Sequence, residues 1–186
     1  MVRTGKKDCV YITFDDGPHP ANTQKILQIL SNQKTKAIFF MIGKNMEKYP
    51  DLVEQVKEHG HEIGFHSYSH RSLKKQSFFK TIHDFSKRKE LESRFGIKMK
   101  LYRPPFGDLT ILSLLWVVFS GLKIVMWSLD SRDSFDSKEQ VLDTVHPDKV
   151  SAGEILLFHD DYDHTVEIMP EVVEKIRKYQ QICKSV

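Results

Sequence analysis

Short apolar, β-branched or aromatic runs alternate with longer amphipathic stretches along almost the whole chain, and that alternation most constrains its fold. Residues 10–14 read as a strand. Residues 23–33 read as a helix with Ile26, Leu27, Ile29 and Leu30 on one face. The run 37–42 is apolar without a break, as expected of a strand buried on both sides. Pro50 suits the first turn of a helix reaching His59, and Gly60 ends it. A short strand follows at 62–65, then a long polar helix at 76–95 stopped by Gly96. The same reading gives strands at 98–102, 123–129 and 155–158, and helices at 109–120, 137–146 (capped by Ser137) and 166–179. The last few residues are expected to form a closing strand. About seven βα units without an internal linker predict one α/β domain over residues 1–186. Its parallel sheet is covered by helices, either closed as a barrel or open and doubly wound.

The polar clusters fall at the carboxyl ends of these strands. Asp15-Asp16 follows the first and His66-Ser67-Tyr68-Ser69-His70 the third. Arg103-Pro104-Pro105-Phe106-Gly107 follows the fourth, the stretch from Asp130 to Asp133 the fifth, and His159-Asp160 the sixth. All can therefore converge on one rim, where parallel-barrel enzymes keep their active sites. Two adjacent carboxylates are costly unless a positive charge sits beside them, and a metal ion is the natural partner. His66 and His70 are matching ligands, able to meet one ion if their segment makes a helical turn. One Asp with two His leaves coordination positions open, and the spare Asp is free to act as a base on activated water. A guanidinium keeps a neighbouring carboxylate ionised and oriented, which makes Arg103 a candidate tether for one of this pair.

A formal charge of +3 on 186 residues gives no reason to expect nucleic acid. Lys34, Lys36, Lys74, Lys75, Arg88 and Lys89 are expected on solvated faces. His59 and His61 are expected at the surface or a helix end, and the same is expected of His19, His83, His146 and His164. The stretch 111–126 is interrupted by Ser113, Ser120, Gly121 and Lys123, so no membrane span is expected. The first residues contain no apolar core, so no signal peptide is expected either: the protein is cytoplasmic, or an export or anchor segment precedes this chain. Cys9 and Cys183 are expected as two buried free thiols. A bridge between them becomes geometrically open only if the first and last strands are neighbours.

Together these five clusters, in this order, resemble the polysaccharide deacetylases (carbohydrate esterase family 4, the NodB-homology domain) from Val10 to about Tyr179. The resemblance implies a distorted (β/α) barrel of about seven parallel strands, TIM-barrel-like. It implies Asp15 as general base, Asp16, His66 and His70 as metal ligands for Zn²⁺ (or another divalent ion such as Co²⁺), and the Phe106 N–H as oxyanion donor. It assigns Leu157 to the acetyl-methyl pocket and His159 to the general acid. By its spacing to His159, Asp133 is the better candidate for the carboxylate that tunes this histidine, with Asp130 the alternative. The aromatic residue that usually follows this Asp is Ser134 here, and Phe135 is the nearest substitute. The implied activity is removal of N-acetyl groups from N-acetylglucosamine glycans of peptidoglycan or chitin type. The alternatives are hydrolysis of a non-sugar amide and a catalytically weak glycan binder. The implied setting is a monomer at the cell envelope or outside the cell.

Overall fold

The computed structural model describes residues 1–6, 9–179 and 181–183. Its strands are β1 (Cys9–Asp15), β2 (Ile38–Met41), β3 (Glu62–Phe65), β4 (Leu101–Tyr102), β5 (Lys123–Ile124), β6 (Leu129–Asp130), β7 (Ile155–His159) and β8 (Gln181–Ile182). Between them lie α1 (Asn22–Asn32), α2 (Gly43–Lys48), α3 (Pro50–Glu58), α4 (Phe78–Phe95), α5 (Ile111–Phe119), α6 (Lys138–Thr144) and α7 (Asp163–Tyr179). The strand pairs are parallel, in the order β5-β4-β3-β2-β1-β7-β6, with β8 on β1.

That order forces curvature. A flat sheet of seven strands would place its outer strands about 29 Å apart. Yet β5 and β6 are the two outer strands, and only residues 125–128 join them, a reach of about 18 Å at full extension. The sheet therefore curls into a distorted, incompletely closed α/β barrel. The N-terminal segment lines β5 at this seam: Val2 N–H donates to the Ile124 carbonyl at 2.8 Å and its carbonyl accepts from Met126 N–H at 2.8 Å.

The expected strand at 123–129 is thus divided between opposite edges. The carbonyls of Val125 and Met126, which would have continued a ladder, accept from the Arg103 side chain at 3.1 and 3.2 Å. The strand expected at 98–102 shortens to β4, and α2 was not foreseen. Both faces of β1 are buried. Val10, Ile12 and Phe14 face the helices, while Cys9 and Tyr11 pack with Ile38, Phe40, Leu101, Val125 and Ile155 inside the barrel. Gly96 ends α4 in the left-handed region (φ 59°), and Ser137 forms a capping box with Gln140 on α6.

Of the closing strand, Gln181–Ile182 is seen beside β1, while residues 184–186 lie outside the described residues. This pairing overturns the expectation of free thiols. Cys9 and Cys183 form a disulfide with their Cα atoms 5.8 Å apart, because β8 lies next to the first strand. Two charged or polar residues expected at the surface are also buried. Arg88 donates to Glu92 and to the carbonyls of Met99 and Ser120, and His61 Nδ1 accepts from Ala37 N–H. No helix among the described residues is long and apolar enough to cross a membrane.

Candidate active site

Strand register sets the site. Asp15, the last residue of β1, lies level with Phe40 on β2 and with His159, the last residue of β7. His66 is the first residue after β3 and donates its N–H to Met41 O at 2.9 Å; Arg103 is the first after β4 and donates to Phe65 O at 3.0 Å. Each side chain thus leaves the carboxyl end of a strand whose ladder fixes its height.

Asp16 follows with φ at 73°, which turns the chain so that neighbouring carboxylates point to different partners. Asp15 Oδ1 accepts from Arg103 Nη1 at 2.8 Å. The same Nη1 donates to Thr13 Oγ1 at 2.7 Å, and the fully buried guanidinium lies over the Phe40 ring at 4.1 Å. Arg103 is therefore held on every side, and it holds Asp15 in turn.

Asp16 Oδ1 faces His66 Nε2 at 3.4 Å and His70 Nε2 at 3.0 Å. The ligand atoms of these three residues lie within 4.8 Å of one another. His66 Nδ1 is engaged by the Arg103 carbonyl at 2.8 Å, so its proton belongs there and Nε2 turns a lone pair toward Asp16. Asp16 Oδ1 is buried without a hydrogen bond, an arrangement that a divalent cation satisfies. Burial alone would raise the Asp16 carboxyl, but hydrogen bonds and positive charge from His66 and His70, when those rings are protonated, outweigh it and hold that carboxyl well below the usual range. The pair does not meet through a helical turn, as its spacing suggested. Ser67 (φ 64°) and His70 (φ 51°) both adopt left-handed backbone, and His70 N–H donates to Ser67 Oγ at 2.9 Å.

On the opposite side, Asp133 is fully buried beneath His159. Its Oδ1 lies 2.7 Å from His159 Nδ1, and its Oδ2 accepts from the His159 N–H at 2.7 Å and from Thr165 Oγ1 at 2.8 Å. Burial pushes the imidazole down, yet the hydrogen bond and charge of Asp133, aided by Asp15 and Asp16, carry it up to about 9. Asp130 is not the partner. Its Oδ1 accepts from Arg132 N–H at 2.9 Å.

Asp15, Asp16, His66, His70 and His159 open into one cavity of about 490 Å³, which Leu157, Phe106 and Ser134 also line. Phe106 has left-handed backbone (φ 60°), and its ring lies 4.9 Å from that of His70. Beside Ser134 the wall is aromatic after all, with Trp127, the largely exposed Phe135 and Tyr162 lining the same space. Sequence reasoning missed Tyr162, whose ring stands edge-on to His159 at 6.0 Å. It also missed Thr165, and it passed over His164, whose Nε2 contacts the Asp133 carbonyl. Tyr162 carried a readable signal, an aromatic three residues past the motif histidine. Thr165 and His164 reach Asp133 only through the start of α7, which no local pattern announces.

Comparison with known proteins gives a consistent result. The profile of the family described as polysaccharide deacetylase matches residues 2–124. A peptidoglycan-N-acetylglucosamine deacetylase of Bacillus cereus is 39% identical over 125 residues, covering 67% of this chain and 46% of that protein. A second such deacetylase of Bacillus cereus is 32% identical over 174 residues, covering 91% of this chain and 82% of its own length. The chain thus spans less than half of the first relative and most of the second. Among solved structures, a peptidoglycan N-acetylglucosamine deacetylase in complex with 4-naphthalen-1-yl-N-oxidanyl-benzamide superposes with a TM-score of 0.91 at 29% identity. That match covers 98% of this chain and 89% of the other.

Proposed function

Because the chain belongs to the polysaccharide deacetylase family, we propose that it removes N-acetyl groups from N-acetylglucosamine-containing glycan of the peptidoglycan or chitin type, releasing acetate. One observation carries this reading. A single cavity presents the Asp16, His66 and His70 cluster, a carboxylate held by an arginine on one side, and an imidazole held by a carboxylate on the other.

Asp16, His66 and His70 are the residues that would hold a divalent ion. Two nitrogens and one oxygen suit Zn²⁺, with Co²⁺ its nearest substitute. Such an ion supplies Lewis-acid polarisation of the amide carbonyl and a lowered pKa for water. Asp15, kept oriented by Arg103 and 3.8 Å from His66 Nε2, takes a proton from water as the water oxygen bonds to the amide carbon. The Phe106 N–H donates to the amide oxygen as that oxygen gains charge. His159 has Nδ1 fixed on Asp133, so Nε2 presents the proton that the departing nitrogen needs; an amide nitrogen is a poor leaving group until protonated. Leu157 supplies an apolar wall for the acetyl methyl. The C–N bond breaks, and acetate and a free amino sugar result.

The test is acetate release from chitin oligomers, peptidoglycan strands and a cyclic amide, each with and without chelator. Chelator-sensitive release from the glycans is expected. Release from the cyclic amide alone, or from nothing, would remove the reading.

A further inference from the structure

A second cavity, of about 530 Å³, shares Phe106 as a wall with the site above. We propose that this cavity is an anion subsite, formed by Arg71, Lys75 and Lys80, that takes a carboxylate carried on the sugar adjoining the one deacetylated and so favours acidic glycan over neutral polymer. The placing of the sugar chain rests on the deacetylase reading.

The charge balance of the cavity points to a missing anion. Its one carboxylate, Asp108, is already engaged, with Oδ2 accepting from Ser72 Oγ at 2.5 Å and Oδ1 paired with Lys74 at 2.5 Å. Arg71, Lys75 and Lys80 line the same space and form no ion pair among the described residues, although Lys75 also attracts the Asp108 carboxylate at longer range. Three like charges around one concavity repel one another. An anion between them turns that repulsion into attraction. Lys80 adds to this, since it lies in the first turn of the 18-residue helix α4, where the helix dipole already disfavours a cation. That turn holds no acidic residue, and Ser77 provides no side-chain cap, so nothing local offsets the positive end.

The placement argues for a group on the substrate itself. Phe106 is 67% exposed and borders both cavities, and its ring stands 4.9 Å from that of His70. A pyranose seated on it continues a sugar chain from the His66 and His70 cluster toward the three cations. Lys75 is solvated, as expected, and the fold gathers it with residues on both sides of it in sequence.

The experiment compares three ligands by calorimetry. They are glycan strands in which every second N-acetylated sugar bears a lactyl carboxylate, the same strands with those carboxyls reduced to alcohols, and chitin oligomers of equal length. Replacing Arg71→Gln, Lys75→Gln and Lys80→Gln together is expected to weaken binding of the carboxylated strands about tenfold, down to the level of the reduced strands. Affinity for chitin oligomers is expected to stay unchanged. The wild-type preference for carboxylated strands should also fade between about 50 and about 500 mM salt. Equal loss on all three ligands, or no loss on any, overturns the subsite. If no glycan yields acetate with the unaltered protein, the deacetylase reading fails, whereas the binding comparison still decides the subsite.

Discussion

Asp133 receives both donors of His159, the ring Nδ1 on Oδ1 and the backbone N–H on Oδ2, each at 2.7 Å. A carboxylate so placed fixes the ring's orientation and favours its protonated form. With His159 carried up to about 9, the form that can give a proton persists below that pH and is lost above it. Acetate release is therefore expected to hold through neutral pH and to fall as pH rises through about 9. Asp133→Asn removes the charge that lifts the imidazole, so this basic limb should move toward the ordinary histidine value near 6.5. A pH profile of the folded variant with its limb unmoved would show that Asp133 does not set it.

The two neighbouring carboxylates should separate by experiment. Asp15→Asn preserves size and an acceptor for Arg103 but removes the base; acetate release should fall about 10²–10⁴-fold while bound metal stays stoichiometric. His70→Ala deletes the nitrogen 3.0 Å from Asp16 Oδ1 and should instead lose metal on dialysis. Metal analysis beside rate measurement distinguishes the two roles, and full activity in Asp15→Asn would refute the first.

What the sequence revealed, and what it hid, follows from the range of the interactions. Apolar runs ending in Asp15, His66, Arg103 and His159 were legible because a parallel sheet places all its strand ends on one rim. The division of 123–129 between two edges was not, since it depends on Arg103 capturing the Val125 and Met126 carbonyls from a distant strand. Ser67 and His70 in left-handed backbone bring the two imidazoles together in a way that their spacing alone could not reveal. Thr165 reaches Asp133 across 32 residues of sequence. Local periodicity encodes the elements; contacts of that span are fixed only once the elements pack.

The Cys9–Cys183 bridge gives a stability prediction that leaves the chemistry alone. It closes the chain across a separation of 174 residues, which removes much of the freedom of the unfolded state. Replacing both cysteines by serine should cost about 3–5 kcal/mol. Cys9 opens β1 and Asp15 ends it, about 20 Å away along the strand, so acetate release at moderate temperature should be unchanged. Urea unfolding of the double variant reads the first effect and a rate assay the second. An unmoved urea midpoint would deny the bridge its role.

Gly17 is required for a reason of space. A Cβ there would stand 2.3 Å from Asp160 Oδ2 and 2.7 Å from Oδ1, far inside contact distance. Asp160 has no room to retreat: it is fully buried, Thr23 Oγ1 donates to its Oδ2, and its own N–H donates to Asp15 O at 3.3 Å. The Gly17 carbonyl is likewise tied to Ile42 N–H at 2.8 Å. Gly17→Ala must therefore displace the turn that carries Asp16. Crowding of this kind costs about 1–3 kcal/mol, and a ligand carboxylate moved by a few tenths of an ångström should weaken metal affinity about tenfold. Thermal melting and a zinc titration of the variant read the two effects separately. Ordinary affinity in a destabilised variant would mean that the turn yields away from Asp16. Ordinary values of both would mean that Asp160, despite its burial, moves aside.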